Sequence, residues 1–458
     1  MATTTILILI VFLAGYILIA LEHPLHIDKT ASALLTGVLT WAIFAIGANY
    51  GGFSIDWEHT FDQLGILYQS GEDVSHYVES LLGHFLIDIS YIVFFLLGAM
   101  TIVELVDMHD GFAVITSRIQ TTNKRKVLWM IAILTFFLSA VLDNLTTSIV
   151  MISLLRKLIS DRELRLYFAG MVIISANSGG AWSPIGDITT TMLWIGEQIT
   201  VIPTVRDIII PSLVSMIVPL LLLSRAKVMQ GDFPPTKIAA DYKTTQYERT
   251  VLLVLGVACL LFVPVFKTVT HLPPYVGMLF GLTVLWFTTE FIHKSKAVEE
   301  KSHYSVLHAL TKIDTPSVLF FLGILSAVAC LESIGLLHAL AHWLDVTINN
   351  NTIVVILIGI LSAIVDNVPL VAASMGMYPI DAIGSGSEFV QDGFFWQFVA
   401  YCAGTGGSML IIGSAAGVAV MGIEKIDFIW YFRKFCLLAF AGYIAGALTY
   451  LGYYALFY

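Results

Sequence analysis

Apolar runs long enough to cross a bilayer, roughly 20 residues at helical rise, recur along the chain from Ile6 to Tyr458. Apolar length and breaker residues place spans near 4–21, 31–49, 84–106, 166–196, 206–223, 250–266, 275–292, 316–336, 395–423 and 435–457. Two further segments, 127–155 and 352–377, are equally apolar, but each carries an Asp-Asn pair near its middle. The pattern predicts an all-α polytopic membrane protein of about ten full spans and two hairpins.

Loop charge orients these elements, because Lys and Arg concentrate on the cytoplasmic side. Basic clusters fall at 124–126, 156–165, 225–227, 294–301 and 433–434, whereas no Lys or Arg occurs between Lys29 and Arg118 or between Lys312 and Lys425. Segment 127–155 has basic residues at both ends, so it is expected to enter and leave from the cytoplasm as a re-entrant helical hairpin turning near Ser139 to Thr147. Segment 352–377 has acids and no bases on its flanks, so its hairpin is expected to open outward. The halves also match in sequence: Tyr91-Ile-Val-Phe-Phe-Leu-Leu-Gly precedes Glu104 as Val318-Leu-Phe-Phe-Leu-Gly precedes Glu332, and an Asp-Asn pair follows each. Two inverted-topology repeats are therefore expected, each with a re-entrant hairpin and a broken transmembrane helix, as in many secondary transporters. The expected organisation is N-terminal spans and an external loop in 1–83, a first repeat in 84–224, a cytoplasmic linker in 225–249 and a second repeat in 250–458.

Composition agrees with lipid as the solvent. Of 458 residues, 57% are hydrophobic and 12% charged, against about 25% charged in ordinary soluble domains. The net charge of −10 is spread over short loops, which argues against a nucleic-acid partner. The four cysteines stand singly in apolar segments and are expected to pack rather than bind metal. The first apolar run has no basic residue before it and reads as a retained span, with a bacterial-type inner plasma membrane as the expected location. No cofactor is expected.

Polar stretches interrupt the apolar segments in matched pairs. The first half has Val141-Leu-Asp-Asn-Leu-Thr-Thr-Ser148 and Ser175-Ala-Asn-Ser-Gly-Gly-Ala-Trp-Ser-Pro-Ile-Gly-Asp187, followed by Thr189 and Thr190. The second has Ser362-Ala-Ile-Val-Asp-Asn-Val-Pro369 and Ala403-Gly-Thr-Gly-Gly-Ser-Met409, continuing to Gly413-Ser-Ala-Ala-Gly417. A membrane helix unwinds only where its freed backbone lines a cavity or meets protein partners. A small hard cation needs carboxylate, amide, hydroxyl and carbonyl oxygens to replace its hydration shell. The expected cation and proton site therefore comprises Asp143, Asn144, Thr146, Thr147, Asn177, Asp187, Thr189, Thr190, Ser362, Asp366, Asn367, Thr405 and Ser408, with sodium at Asp143, Asn144, Asn177, Asp366 and Asn367. An aspartate at membrane depth costs at least ~2.5–3.5 kcal/mol on insertion scales, so it rarely sits there without a task. Burial favours the protonated carboxyl and a bound cation favours the ionised one, so one site holds either occupant. Asp88 and Glu104 are candidates for a proton path.

Together Phe94-Phe-Leu-Leu-Gly-Ala-Met-Thr-Ile-Val-Glu104, the 141–147 motif and the 175–190 motif resemble the NhaD-type sodium/proton antiporters of the ion transporter superfamily, over nearly the whole chain. The resemblance implies a homodimer, sodium or lithium extrusion in exchange for protons at alkaline pH, and an elevator-like movement of a transport part carrying both hairpins. It also implies that Asp143, Asn144, Asn177, Asp187, Thr189, Thr190, Ser362 and Asn367 match polar positions of that family. The second tip reads Asp-Asn-Val-Pro where the first reads Asp-Asn-Leu-Thr, so the main cation site is expected in the first half. The competing readings are an anion carrier for arsenite-like or dicarboxylate substrates, which would want a cationic or neutral lining, and a membrane-embedded enzyme. No GxSxG motif supports the enzyme, and no GxxxxGK(S/T) phosphate loop supports a primary pump.

Overall fold

The computed structural model describes residues 3–20, 22–25, 27–50, 73–116, 121–233, 244–294, 304–364 and 366–457. Much of the predicted external loop in 1–83, residues 234–243 of the linker 225–249 and most of the basic cluster 294–301 lie outside the described residues. Among the described residues the regular structure is almost entirely helical, and eight helices are long and apolar enough to cross a membrane. The protein is an all-α polytopic membrane protein.

By packing, the chain forms two compact units: residues 1–96, 314–350 and 372–379, and residues 97–313, 351–371 and 380–458. In the first unit α1 (Thr3–Ala20) and α2 (Lys29–Asn49) precede the N-terminal part of α3 (Val74–Met108). Helices α11 (Thr315–Ser333) and α12 (Leu336–Ile348) complete most of it. Asp28 starts α2 by accepting from the Thr30 amide at 2.7 Å, and Asp314 starts α11 through Ser317 at 3.2 Å, a cap worth about 1 kcal/mol. Without a hydrophobic drive between helices in lipid, close backbone approach and interhelical hydrogen bonds hold them together. Gly37 and Gly323 permit that approach: a Cβ on Gly37 would lie 2.6 Å from the Gly323 carbonyl oxygen. The Trp41 indole donates across the same seam to the Ser326 carbonyl at 2.8 Å.

The second unit contains the polar tips. Helices α4 (Lys124–Leu142) and α5 (Asn144–Leu158) both pack on α6 (Arg162–Ala181), which breaks before α7 (Ile188–Ile195). After α8 (Val201–Arg225) come α9 (Gln246–Thr270) and α10 (Pro274–Ile292), then α13 (Asn351–Leu361), the first residues of α14 (Asn367–Met377), and a second broken pair, α15 (Phe394–Gly406) and α16 (Ala415–Glu424). The last long helix, α17 (Leu437–Phe457), packs on α8 and α15. Its tyrosines tie the second half together: Tyr443 donates to the Ile356 carbonyl at 2.9 Å and Tyr450 to the Phe394 carbonyl at 3.1 Å.

Stretches 166–196 and 395–423, each expected to hold a broken helix, are each two helices separated by a loop. The first apolar run, near 4–21, gives α1, and α4 is among the eight long apolar helices. The stretch 337–351, between the span expected near 316–336 and segment 352–377, was not expected to be helical. It instead forms α12, because Leu337 and Ala341 recur at helical spacing on a buried face opposite the exposed Trp343 and Val346.

Candidate functional site

The site grows from helix ends that meet within the second unit. Asp143 separates α4 from α5 with φ 86° and ψ 160°, a region that side-chain-bearing residues rarely occupy and that surrounding structure must enforce. The turn aims the carboxylate at the N-terminus of α5, where Oδ1 accepts from the Thr146 amide at 2.7 Å and Oδ2 from the Thr146 hydroxyl at 2.8 Å. Asp187 does the same for α7: its Oδ1 accepts from the Thr189 amide at 2.8 Å and the Thr189 hydroxyl at 2.7 Å. Both carboxylates thus sit at the positive ends of helix dipoles.

Between them runs a directed chain of amides. Asn144 Nδ2 donates to Asp187 Oδ2 at 2.6 Å and to Asn177 Oδ1 at 3.0 Å. Asn177 Nδ2 then donates to the hydroxyls of Ser408 at 3.0 Å and Ser414 at 2.9 Å. An ionised carboxylate only accepts hydrogen bonds, so Asp187 dictates which way the Asn144 amide points, and Asn144 in turn orients Asn177. No described hydrogen bond engages Asn144 Oδ1, which leaves that oxygen available as a cation ligand. Asp187 interacts electrostatically with both Asp143 and Asp366. Three carboxylates therefore share one region.

The other predicted residues fall into place unevenly. Thr190 donates to the carbonyls of Ser183 at 2.8 Å and Asp187 at 2.9 Å, so it holds the 182–187 loop against α7. Thr405 bonds within its own helix to the Tyr401 carbonyl, and the Ser408 carbonyl accepts from the Tyr431 hydroxyl. Thr147 Oγ1 and Asn367 Nδ2 are buried with no hydrogen-bond partner among the described residues, a costly state for an isolated polar group. Asp88 lies in the other unit. Glu104 shares no described hydrogen bond with the cluster and interacts electrostatically with Asp107 and Lys312.

Matched contacts build the two halves. Ser139 donates to the Ala176 carbonyl at 2.6 Å, and Ser362 to the Ala403 carbonyl at 3.0 Å. Gly179 lies against the Phe136 carbonyl as Gly406 lies against that of Gly359, and Gly180 meets Gly186 as Gly407 meets Gly413. The residue after that last glycine starts the next helix: Asp187 for α7, Ser414 for α16. Ser414 was not singled out from the sequence, although the equal spacing from Gly180 to Asp187 and from Gly407 to Ser414 carried the signal.

Helices that break inside an apolar bundle, with carboxylates, amides and hydroxyls gathered at the breaks, define a membrane transporter rather than an enzyme. Its relatives agree. The chain is 47% identical to "Sodium/proton antiporter 1" of Arabidopsis thaliana over 443 residues, 96% of this chain and 71% of that protein. It is 44% identical to "Sodium/proton antiporter 2" of the same plant, covering 96% and 98% of the two chains. It is 27% identical to "Na(+)/H(+) antiporter NhaD" of Alkalimonas amylolytica, covering 96% and 89%. The family profile described as citrate transporter, CitMHS, matches residues 16–391. The chain belongs to the CitMHS family of ion transporters.

Proposed function

We propose that this protein exchanges sodium or lithium for protons across the membrane, cation and proton competing for the buried aspartates at the two hairpin tips. The observation that carries the reading is the acceptor-rich cluster itself: Asp143, Asp187 and Asp366 share one region, and Asn144 and Asn177 are oriented through Asp187. Like charges in a low-dielectric site repel strongly, so each needs a proton, a cation or a hydrogen-bond donor. Asp143, Asn144, Asn177, Asp366 and Asn367 are the proposed sodium ligands, with the Thr146 and Thr189 hydroxyls holding the carboxylates in place. Asp143 is the principal ligand and titrating group. The names of the sodium/proton antiporter relatives support the same exchange.

The matched contacts support two repeats of inverted topology with re-entrant hairpins 127–155 and 352–377, as the loop charges suggest. With that symmetry goes alternating access by an elevator-like movement, in a homodimer in the inner plasma membrane. The family's description as citrate transporter favours an anion carrier as the second reading. Against it stands the donor set, since a carboxylate substrate wants cationic groups or free helix N-termini, and the N-termini of α5 and α7 are already occupied by Asp143 and Asp187.

The test is sodium- and lithium-induced relaxation of an imposed pH gradient in vesicles containing the native protein or Asp143→Asn at equal abundance. The expected result is cation-dependent relaxation that the variant loses. No relaxation by any alkali cation in vesicles shown to contain folded protein would sink the antiporter and favour the anion carrier.

A further inference from the structure

Far from the aspartates, the opposite ends of α5, α6 and α16 meet in a knot of charge. Glu424, the last residue of α16, is 2% exposed. Its Oε1 lies 2.6 Å from Arg156 Nε of α5 and its Oε2 2.9 Å from Arg165 Nε of α6. Arg162 adds hydrogen bonds to the carbonyls of Glu424 at 3.2 Å and Lys425 at 3.0 Å, and Arg156 reaches the Ile423 carbonyl. These are the carbonyls a helix C-terminus leaves without intrahelical partners, at its negative end. Arg165 also holds the Ile159 carbonyl at 2.8 Å, fixing the turn between α5 and α6.

Each of the three helices has its other end in the candidate site. Twelve residues separate Arg156 from Asn144, twelve separate Arg165 from Asn177, and ten separate Glu424 from Ser414. At 1.5 Å per residue these are parallel rods of about 15–18 Å. Helix α16 begins Ala415-Ala-Gly-Val-Ala-Val, small side chains that allow close backbone approach. Directional contacts at its two ends hold its register against α5 and α6. Those contacts are Ser414 with Asn177 at one end and Glu424 with the arginines at the other.

We propose that Glu424 is a positioning residue for the cation site. Held by Arg156 and Arg165, it sets the height of α16, keeps the Ser414 hydroxyl within reach of Asn177, and so stabilises the orientation of the Asn177 and Asn144 amides. The inference rests on the cation-exchange reading above. Loss of the knot weakens cation binding without touching a ligand, and it acts through Ser414.

The experiment is sodium-dependent exchange in vesicles with the native full-length chain, Glu424→Gln, Ser414→Ala and the double variant, each checked for abundance and melting temperature. Both single variants are expected to raise the half-saturating sodium concentration about fivefold or more, with maximal rate changed less. The double variant is expected to be no worse than the worse single one, because coupled residues fail additivity. Multiplying effects in the double variant, or a lower melting temperature with native sodium affinity in Glu424→Gln, would overturn the proposal. If Glu424→Gln does not fold, Arg156→Gln, altered at a half-exposed arginine, is read by the same criteria. Absence of sodium-driven exchange in the native protein overturns the function and the knot together, whereas native exchange with independent variants overturns the knot alone.

Discussion

Replacing Asp187 separates its two tasks, capping α7 and orienting the amides of the site. Serine already performs the cap at the matching place in the second half, where Ser414 accepts from the Gly417 amide at 3.2 Å. Asp187→Ser therefore keeps an N-cap and should leave the start of α7 intact, since serine and aspartate cap about equally well. What it removes is the charge and the 2.6 Å acceptor for Asn144. A hydrogen bond to a charged group contributes about 1.5–3 kcal/mol. At 1.4 kcal/mol per decade this corresponds to roughly a 10- to 140-fold loss in apparent sodium affinity. Asp187→Asn adds a fault that serine avoids. Its Oδ1 can still accept from Thr189, so its amide nitrogen then faces the nitrogen of Asn144, donor against donor. Asparagine should accordingly be at least as damaging as serine despite its closer shape. Both variants would be read from the sodium concentration giving half-maximal relaxation of a pH gradient in vesicles, with melting temperature as the control for the cap. Native affinity in Asp187→Asn would refute the reasoning, because it would mean that the amide orientation does not govern cation binding.

Two further outcomes follow from the same geometry. If one proton and one cation exclude each other at the tip carboxylates, apparent sodium affinity should improve as pH rises, by up to about tenfold per unit while the site is protonated, and then level off; an affinity flat in pH would show that the two occupy separate groups. Gly179→Ala would push a methyl into the Phe136 carbonyl where α6 crosses α4, and such overpacking costs about 1–3 kcal/mol. A reduced melting temperature in detergent is expected, and an unchanged one would show that α4 can withdraw.

Much of this was legible from the chain alone, for reasons tied to lipid as solvent. An aspartate or a Gly-Gly break in an apolar run is a rare event whose cost demands an explanation, so Asp143, Asp187 and the two broken helices could be located from sequence. Longer-range bonding was not legible. Nothing in the spacing of Asn144 and Asn177 shows that one amide donates to the other, or that Asn177 reaches Ser408 and Ser414 some 230 residues away. Helix α12 escaped because its two buried positions are too few for a pattern when His338 and His342 intervene. Nor does spacing show that the Thr190 and Thr405 hydroxyls donate to nearby carbonyls of their own chain.

The matched halves also explain why the site is chemically one-sided. Four positions that correspond by spacing differ in kind: Asp187 against Ser414, Asn177 against Gly404, and Thr146 with Thr147 against Pro369 and Leu370. The first half supplies the acceptor-only group and the amides it orients, and the second supplies hydroxyls that receive the end of that chain. Two identical halves would place two aspartates at the ends of the amide chain, each demanding the donating nitrogen. Asn177 has one amide nitrogen, and it donates to Ser408 and Ser414 while its oxygen accepts from Asn144. A serine accepts that nitrogen without adding charge, so the chain runs in one direction and ends on a neutral group. The asymmetry removes a competing acceptor and lets Asp187 alone determine how the amides face a cation.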